Sequence, residues 1–162
     1  MIRKVNIKDA EDIRNIYNYY VQNTIITFEE DTVDHDEMAR RIDAISTEYP
    51  WFVFEADNKV VGYAYASRWK MRSAYRFAVE STVYVDPEYY RRKIGFKVYD
   101  RLIQELKALS FHTAMGGIAL PNDASIALHE KLGFVKVGHF KEVGQKFGKW
   151  IDVGYWELLI EK

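Results

Sequence analysis

The alternation of apolar and polar residues changes its period several times along the chain, and each change predicts a new element. The first seven residues, MIRKVNI, alternate loosely, as in a short strand. Asp9 is then the predicted cap of a run of apolar residues at helical spacing over positions 10–20, which predicts a first helix. Asp34, with Glu37 three residues later, is a capping pair that predicts a second helix, ending before the first proline of the chain.

Strand patterns dominate from residue 51 onward. WFVFEA and KVVGYAYASRW, on either side of Asp57 and Asn58, predict a hairpin. RFAVESTVYVD alternates so that Glu80, Thr82 and Tyr84 share one face. The opposite face carries Phe77, Val79, Ser81, Val83 and Val85.

The last part of the chain predicts two helices and three strands. Apolar residues at helical spacing predict a third helix from about Gly95 to Leu109, followed by the strand HTAMGGIAL. Asn122 or Asp123 caps a short helix that Gly133 ends. FVKVGHFKEVG and KWIDVGYWELLIE are closing strands joined over 145–148. This order predicts a single domain over residues 1–162, of the α/β or α+β class with a mixed sheet.

Composition narrows the function classes. With 48% apolar residues, 29% charged residues and a net charge of −1, the chain is neither disordered nor a general nucleic-acid-coating protein. It contains no cysteine, which excludes disulfides, thiolate metal sites and a cysteine nucleophile. It has no signal-peptide core and no run of about 18 apolar residues. We therefore expect a cytoplasmic protein that binds neither a membrane nor a metal.

The strand-to-helix junction from Asp86 to Phe96, which contains YYRRKIGF, is a candidate anion site. A helix amino terminus offers unpaired N–H groups and a partial positive charge, and it accepts phosphate readily. Arg91, Arg92 and Lys93 add three cations beside it. A solvated basic corner explains the same residues, so both interpretations remain open from the junction alone.

Three separated segments resemble the Gcn5-related N-acetyltransferase (GNAT) superfamily, most closely the phosphinothricin and methionine-sulfoximine acetyltransferases. They are VESTVYVDPEYYRRKIGFKVYDRLI, LPNDASIALHEKLGF and QKFGKWIDVGYWELLI. The resemblance implies a GNAT fold, with a mixed, mostly antiparallel sheet of about seven strands and four helices. It also implies a homodimer and transfer of acetyl from acetyl-CoA to the primary amine of a small amino-acid-like substrate.

The resemblance also implies where acetyl-CoA is bound. Pantetheine contacts map to Val83, Tyr84 and Val85 at the end of a strand. Pyrophosphate contacts map to Arg91, Arg92, Lys93, Ile94, Gly95 and Phe96, and further cofactor contacts to Asn122 and Ser125. The last two residues are equally ordinary helix caps.

One part of this loop departs from the family pattern, Gln/Arg-x-x-Gly-x-Gly/Ala. Tyr90 stands at the first position and Lys93 at the first glycine. A lysine in the left-handed conformation costs about 1–2 kcal/mol, which predicts weaker or altered cofactor contacts. A helical φ at Lys93 would remove the strain.

The resemblance implies the catalytic residues as well. Glu80, a carboxylate in an otherwise apolar strand, maps to the general base that deprotonates the substrate ammonium; a solvent-facing glutamate is the alternative. His129 maps to the position of the acid that protonates the CoA sulfur, although a buried, hydrogen-bonded histidine would look the same.

Acceptor contacts map less sharply. Phe28 and Glu29 lie in a loop that borders the acceptor site in the resembled family, and Arg72 and Arg76 could pair with a substrate carboxylate. Trp150 and Tyr155 could line the pocket, or could be core or interface aromatics.

Two other functions remain open. The same fold could acetylate a protein amino terminus, a polyamine or an aminoglycoside. Alternatively, the chain could be a weakly catalytic or non-catalytic module that binds acyl-CoA or, through its basic triplet, nucleic acid. The near-neutral charge argues against nucleic acid, and Glu80 argues against a non-catalytic protein.

Overall fold

One seven-stranded sheet forms the centre of the protein, as seen in a computed structural model that describes residues 1–160. The strands stand in the order β1-β2-β3-β4-β5-β7-β6. Within residues 1–160, β4 and β5 form the one parallel pair. The strands are β1 (Ile2–Lys4), β2 (Trp51–Ala56), β3 (Lys59–Arg68), β4 (Ala78–Val85), β5 (Thr113–Ala119), β6 (Val135–Lys146) and β7 (Lys149–Leu159).

Four α-helices cover the sheet within residues 1–160, and two of the three predicted caps are present. Asp9 precedes the first helix but makes no side-chain cap hydrogen bond, so the cap predicted there is wrong. The Asp34 carboxylate accepts the Glu37 N–H, and the Asn122 side chain accepts the Ser125 N–H. The predicted fold class, about seven strands with four helices, is confirmed. The helices are α1 (Ala10–Asn23), α2 (His35–Ser46), α3 (Ile94–Ala108) and α4 (Asp123–Lys131).

Each face of the sheet has its own core. Ile13 and Val21 of α1 pack with Ile42 of α2 on one face. Val98 and Leu102 of α3 pack on the other, where partly buried residues of α4 join them. With helices on both faces, the apolar residues of both sides of the mixed sheet are buried.

The predicted alternation along β4 is confirmed. Val79 and Val83 belong to the core beneath α3, whereas Tyr84 belongs to the core beneath α1 and α2. Phe77 lies before the strand and is exposed. Consecutive residues of β4 therefore point to opposite faces of the sheet.

Two tight turns close the hairpins. Asp57 and Asn58 have φ values of 52° and 60°, which is the left-handed geometry of a two-residue hairpin turn. The second hairpin turns at Phe147 and Gly148, so β6 extends to Lys146, further than the junction predicted over 145–148. The predicted last strand includes Glu161, which lies outside the described residues.

Between residues 1 and 160, no helix combines the length and the apolar character needed to span a bilayer.

Candidate active site

A cavity of about 560 Å³ opens where β4 and β5 separate. The two strands pair only as far as Glu80 and Met115, whereas β4 continues to Val85 and β5 to Ala119. The edge of β4 beyond Glu80 therefore has no strand partner on this side among residues 1–160. Unpaired strand edges present N–H and C=O groups to a ligand, and the volume is in the ordinary range for small-molecule sites.

The cavity passes through the sheet, because consecutive lining residues of β4 point to opposite faces. Glu80 and Thr82 lie on the face covered by α1, hereafter the α1 side. Ser81 and Val83 lie on the face covered by α3 and α4, hereafter the α3 side. The lining includes eight predicted site residues: Phe28, Glu80, Val83, Tyr84, Asn122, Ser125, His129 and Tyr155.

Glu80 is a half-buried carboxylate in this lining. Burial raises its pKa above the ordinary 4.5, and the charge of Lys70 offsets part of the rise. The backbone of Glu80 is paired in the sheet, but within residues 1–160 its carboxylate forms no side-chain hydrogen bond and no ion pair. A partly desolvated carboxylate without a partner is well suited to accept a proton from a bound ligand.

His129 is buried at the end of α4, close beneath β5. A methyl group added at Gly116 would lie only 2.6 Å from His129 Nε2, so glycine permits this approach. Nδ1 lies 2.7 Å from the carbonyl oxygen of Ser125. A carbonyl only accepts, so Nδ1 carries a proton.

The other nitrogen of His129 ends a buried chain of hydroxyl groups. Nε2 lies 3.1 Å from the Tyr99 hydroxyl, which lies 2.6 Å from the Ser81 hydroxyl. Burial lowers the pKa of His129 below 6.5, which favours the neutral ring. In that state Tyr99 donates to Nε2 and Ser81 donates to Tyr99. Both ring nitrogens are therefore hydrogen bonded within the protein.

The junction before α3 has a left-handed backbone at two positions. Arg91 has a φ of 65°, and Lys93 has a φ of 60° with a ψ of 18°. At Lys93 this is the left-handed conformation that favours glycine, which is one of the two backbone conformations that the sequence allows there; the other is helical. The strain expected from a lysine at this position is therefore present in the folded chain.

The amino terminus of α3 is suited to an anion. Lys93 provides no side-chain cap, and the first turn contains no acidic residue, unlike the first turns of α1, α2 and α4. Arg91, Arg92 and Lys93 are exposed, and none forms an ion pair within residues 1–160. These features leave the first-turn N–H groups and three cations available to a phosphate.

Close packing places this junction beside the end of the cavity. A methyl group added at Gly95 would lie 3.4 Å from Val85 Cγ2 and 3.6 Å from Leu128 Cδ2. The first turn of α3 is thus wedged between the end of β4 and α4. A ligand that follows the free edge of β4 reaches the anion site at this end.

Tyr90, which departs from the family pattern, links the junction to α1. Its hydroxyl lies 2.6 Å from the Tyr20 hydroxyl. The Tyr20 hydroxyl in turn donates to the carbonyl oxygen of Val85. Tyr90 therefore donates to Tyr20 and stabilises the position of the loop, while the Val85 carbonyl is engaged within the protein.

The loop after α1 contributes Thr27 and Phe28 to the α1 side of the cavity. Glu29 does not line the cavity. Its carboxylate accepts two hydrogen bonds from Arg41, of 2.9 Å and 2.6 Å, and one from the Tyr17 hydroxyl. Arg41 holds the pKa of Glu29 below its ordinary 4.5. Glu29 thus attaches the loop to α1 and α2.

The remaining predicted acceptor residues separate into two groups. Tyr155 lines the cavity, with its ring packed against Trp69 and Phe140 at centroid distances of 5.6 Å and 5.7 Å. Three residues are exposed and lie outside the cavity lining, and their substrate roles stay predictions: Arg72, Arg76 and Trp150.

Sequence reasoning missed three polar residues around the cavity. The spacing that predicts β4 and α3 places Ser81 and Tyr99 among apolar residues and gives no information about the partners of their hydroxyl groups. Lys146 was placed in a turn, but it is buried, and its ammonium donates to the carbonyl oxygen of Thr27 at 2.8 Å. No local pattern identifies this contact, because the two residues are 119 positions apart.

Comparison with known proteins gives a consistent family. A family model described as an acetyltransferase (GNAT) domain matches residues 2–154. Phosphinothricin N-acetyltransferase of Streptomyces viridochromogenes is 36% identical, covering 96% of this chain and 85% of its own. L-methionine sulfoximine/L-methionine sulfone acetyltransferase of Salmonella typhimurium is 35% identical, with coverages of 99% and 95%. The solved phosphinothricin acetyltransferase of Sinorhizobium meliloti, in complex with acetyl-CoA, superposes with a TM-score of 0.95 at 35% identity, covering 99% of this chain and 88% of its own.

Proposed function

The chain belongs to the GNAT family of acetyltransferases, and we propose that it acetylates the primary amine of a small amino-acid-like substrate. Family membership makes it an acyltransferase with acetyl-CoA as cosubstrate. The names of its relatives support phosphinothricin, methionine sulfoximine or methionine sulfone as acceptors. A cavity of about 560 Å³ is consistent with a small acceptor.

The observation that carries the proposal is the environment of Glu80. A substrate amine is an ammonium at neutral pH and has no lone pair with which to attack. Glu80 lies in the gap between β4 and β5, has a raised pKa and has no partner within residues 1–160. In the proposed reaction its carboxylate accepts the ammonium proton, directly or through water, and frees the nitrogen lone pair.

The residues along β4 and at the start of α3 fit acetyl-CoA. When bound, acetyl-CoA supplies an acetyl group activated as a thioester. The free edge of β4, at Val83 to Val85, would hold the pantetheine arm by backbone hydrogen bonds. The N–H groups of the first turn of α3, with Arg91 to Lys93, would hold the pyrophosphate. Asn122 and Ser125 would contact the cofactor from α4 on the α3 side.

The alternation along β4 supports a division in which the two substrates occupy opposite sides of the gap. The cofactor residues lie mainly on the α3 side, whereas Glu80, Phe28 and Tyr155 would surround the acceptor amine. This division lets the thioester and the amine meet within the gap while their remaining parts lie on different faces. Positioning of this kind lowers the entropic cost of the reaction.

His129 stays the predicted acid for the departing sulfur, but in the neutral ring the one proton, on Nδ1, is bound to the Ser125 carbonyl, so this role requires the ring first to gain a proton at Nε2. Its hydrogen bonds to Ser125 and Tyr99 also fit a positioning role, in which it supports β5 and α4 beside the gap. His129→Gln separates the two roles. Loss of turnover with unchanged thermal stability supports the acid, whereas loss of stability alone supports the structural role.

A thiol-release assay tests the proposed activity. Purified protein is mixed with acetyl-CoA and a panel of amines: phosphinothricin, methionine sulfoximine, methionine sulfone, free amino acids, short peptides, spermidine and an aminoglycoside. We expect free CoA only with the amino-acid analogues. If CoA is released only with peptides or polycations, the acceptor is a protein amino terminus or a polycation and not an amino-acid analogue. If acetyl-CoA binds but no CoA is released, the chain is a non-catalytic module.

The same assay tests the base. Glu80→Gln is expected to lower turnover by about 10²–10⁴. Glu142→Gln, which changes an exposed carboxylate on β6, is the matched control and should retain full activity. Near-normal turnover of Glu80→Gln would remove this residue from the mechanism.

A homodimer in the cytoplasm stays a prediction. Exposed apolar side chains along the edge strand β6 support an interface, among them Val135 and Val137. Light scattering on the purified chain measures the oligomeric state directly.

A further inference from the structure

We propose that Gly144 and Lys146 of β6 hold the loop after α1 against the cavity, and that the contact of Gly144 with Phe28 determines which acceptor side chains fit. This inference rests on the proposed function and adds specificity-determining positions outside the cavity lining. It concerns the α1 side of the gap, where Glu80 and Phe28 lie.

The Phe28 ring occupies the space that any side chain at position 144 would need. A methyl group added at Gly144 would overlap Cε2 of Phe28 and would lie 2.7 Å from its Cζ. Phe28 lines the cavity together with Val143 and Phe140, which belong to β6, the strand that contains Gly144. The absence of a side chain at Gly144 therefore permits the observed position of an acceptor-side ring.

Lys146 fixes the backbone immediately before Phe28. Its ammonium is buried and donates to the Thr27 carbonyl oxygen at 2.8 Å. Burial lowers the pKa of this lysine. The backbone of Lys146 pairs with that of Lys149 beside the tight turn of the second hairpin, so the sheet fixes the position of Lys146. The hairpin and the loop are thus joined by a directed hydrogen bond.

The opposite side of the loop is attached to the helices. Tyr17 lies 2.9 Å from the Thr27 hydroxyl and donates to Glu29, and Arg41 binds Glu29 through two hydrogen bonds. With the residues before and after Phe28 held in this way, the ring itself is the part that can yield. It is 42% exposed, so it can move without unfolding the core.

The consequence is a selective effect on the acceptor. Displacing the Phe28 ring changes the shape of the α1 side, whereas the edge of β4 and the start of α3 are unaffected. One methylene in an apolar pocket changes substrate discrimination by about 10–200-fold. We therefore expect Gly144→Ala to change the relative kcat/KM for methionine sulfone and S-methylcysteine sulfone, which is one methylene shorter, by about tenfold or more.

The experiment combines four variants in the thiol-release assay. They are Gly144→Ala, Phe28→Ala, the double variant, and Gly138→Ala as the control. Gly138 lies on the same strand, and a methyl group added there meets no atom within 4 Å. We expect Gly144→Ala to alter acceptor discrimination with the Kd for acetyl-CoA and the Tm unchanged. We expect the double variant to discriminate between acceptors as Phe28→Ala does, because the ring that the added methyl group would displace is absent.

Each result has a definite meaning. If Gly144→Ala behaves like Gly138→Ala, or has the same effect with and without the Phe28 ring, the specificity role of Gly144 is wrong. Lys146→Met should raise the acceptor KM and leave the Kd for acetyl-CoA unchanged, and an unchanged acceptor KM would overturn the role of Lys146. If the wild-type chain releases no thiol with any amine, the proposed function fails first and this inference with it. An active wild type with an ineffective Gly144→Ala overturns this inference alone.

Discussion

The left-handed backbone at Lys93 leads to the sharpest prediction, because one substitution separates backbone strain from charge. Lys93 has a φ of 60° and a ψ of 18° immediately before α3. Lys93→Gly removes both the strain and the charge, whereas Lys93→Ala removes the charge and keeps the strain. The difference between the two variants therefore measures the backbone contribution.

The magnitude follows from two opposing terms. A left-handed conformation costs a residue with a Cβ about 1–2 kcal/mol relative to glycine. Glycine loses more conformational freedom on folding, which costs about 0.5–1 kcal/mol. We therefore expect Lys93→Gly to be about 0.5–1 kcal/mol more stable than Lys93→Ala. For a chain of this length, that is a Tm difference of about 1–4 °C.

The assay is thermal unfolding together with calorimetric titration of acetyl-CoA. Because the fold itself holds Lys93 in this conformation, the strain belongs to the folding free energy. We expect the two variants to bind acetyl-CoA with the same Kd within about twofold, and both more weakly than wild type if the lysine contacts a phosphate. Arg92→Gly is the control, since Arg92 has no positive φ. It should be destabilised by the entropic cost of glycine.

Either of two results would refute the reasoning. If Lys93→Gly is no more stable than Lys93→Ala, the left-handed geometry costs no more than the conformational entropy that glycine loses on folding, and the predicted excess strain is wrong. If Lys93→Gly instead binds acetyl-CoA about tenfold more tightly than Lys93→Ala, the left-handed backbone weakens binding and not folding, and the loop must rearrange when acetyl-CoA binds.

The remaining predictions concern titration and packing. Because Glu80 must be ionised to act and its pKa is raised, kcat/KM should fall as pH drops through that pKa, and Glu80→Gln should abolish this dependence. Gly116→Ala should destabilise the fold by about 1–3 kcal/mol, since the methyl meets buried His129, whereas Gly138→Ala should not; thermal unfolding measures both. Glu29 has a lowered pKa, so its stabilising effect should be present above pH 4.5 and be lost as pH falls through the folded pKa. Glu29→Gln should cost less than about 1 kcal/mol at neutral pH because the ion pair is partly exposed, and should leave stability unchanged in strong acid.

Local patterns predicted the elements because each signal is short-range. The capping residues Asp34 and Asn122 bond to N–H groups three positions away, and a two-residue turn at Asp57 and Asn58 closes the first hairpin. The alternation of β4 correctly placed Glu80 and Ser81 on opposite faces. These features depend on periodicity and local hydrogen bonds, which the sequence contains directly.

Contacts between distant segments could not be predicted from local patterns. The partner of Lys146 is the Thr27 carbonyl, and Tyr90 binds Tyr20, across 119 and 70 positions. Glu29 was expected in the acceptor site, but Arg41 holds it against the helices. A charged side chain takes the partner that folding brings nearest, and sequence spacing does not identify that partner.

By itself, the sequence determined the order of the strands and helices, the face on which each residue of β4 lies, and, through three segments, the family. Only the tertiary structure decided that β4 and β5 stop pairing at Glu80, that Lys93 adopts a left-handed backbone, and that both nitrogens of His129 are engaged. The physical reason is that a separation between strands, a backbone strain and a buried hydrogen-bond chain each depend on packing against segments far away in sequence. Periodicity in the sequence indicates the face on which a side chain lies, whereas tertiary packing determines which residues it contacts.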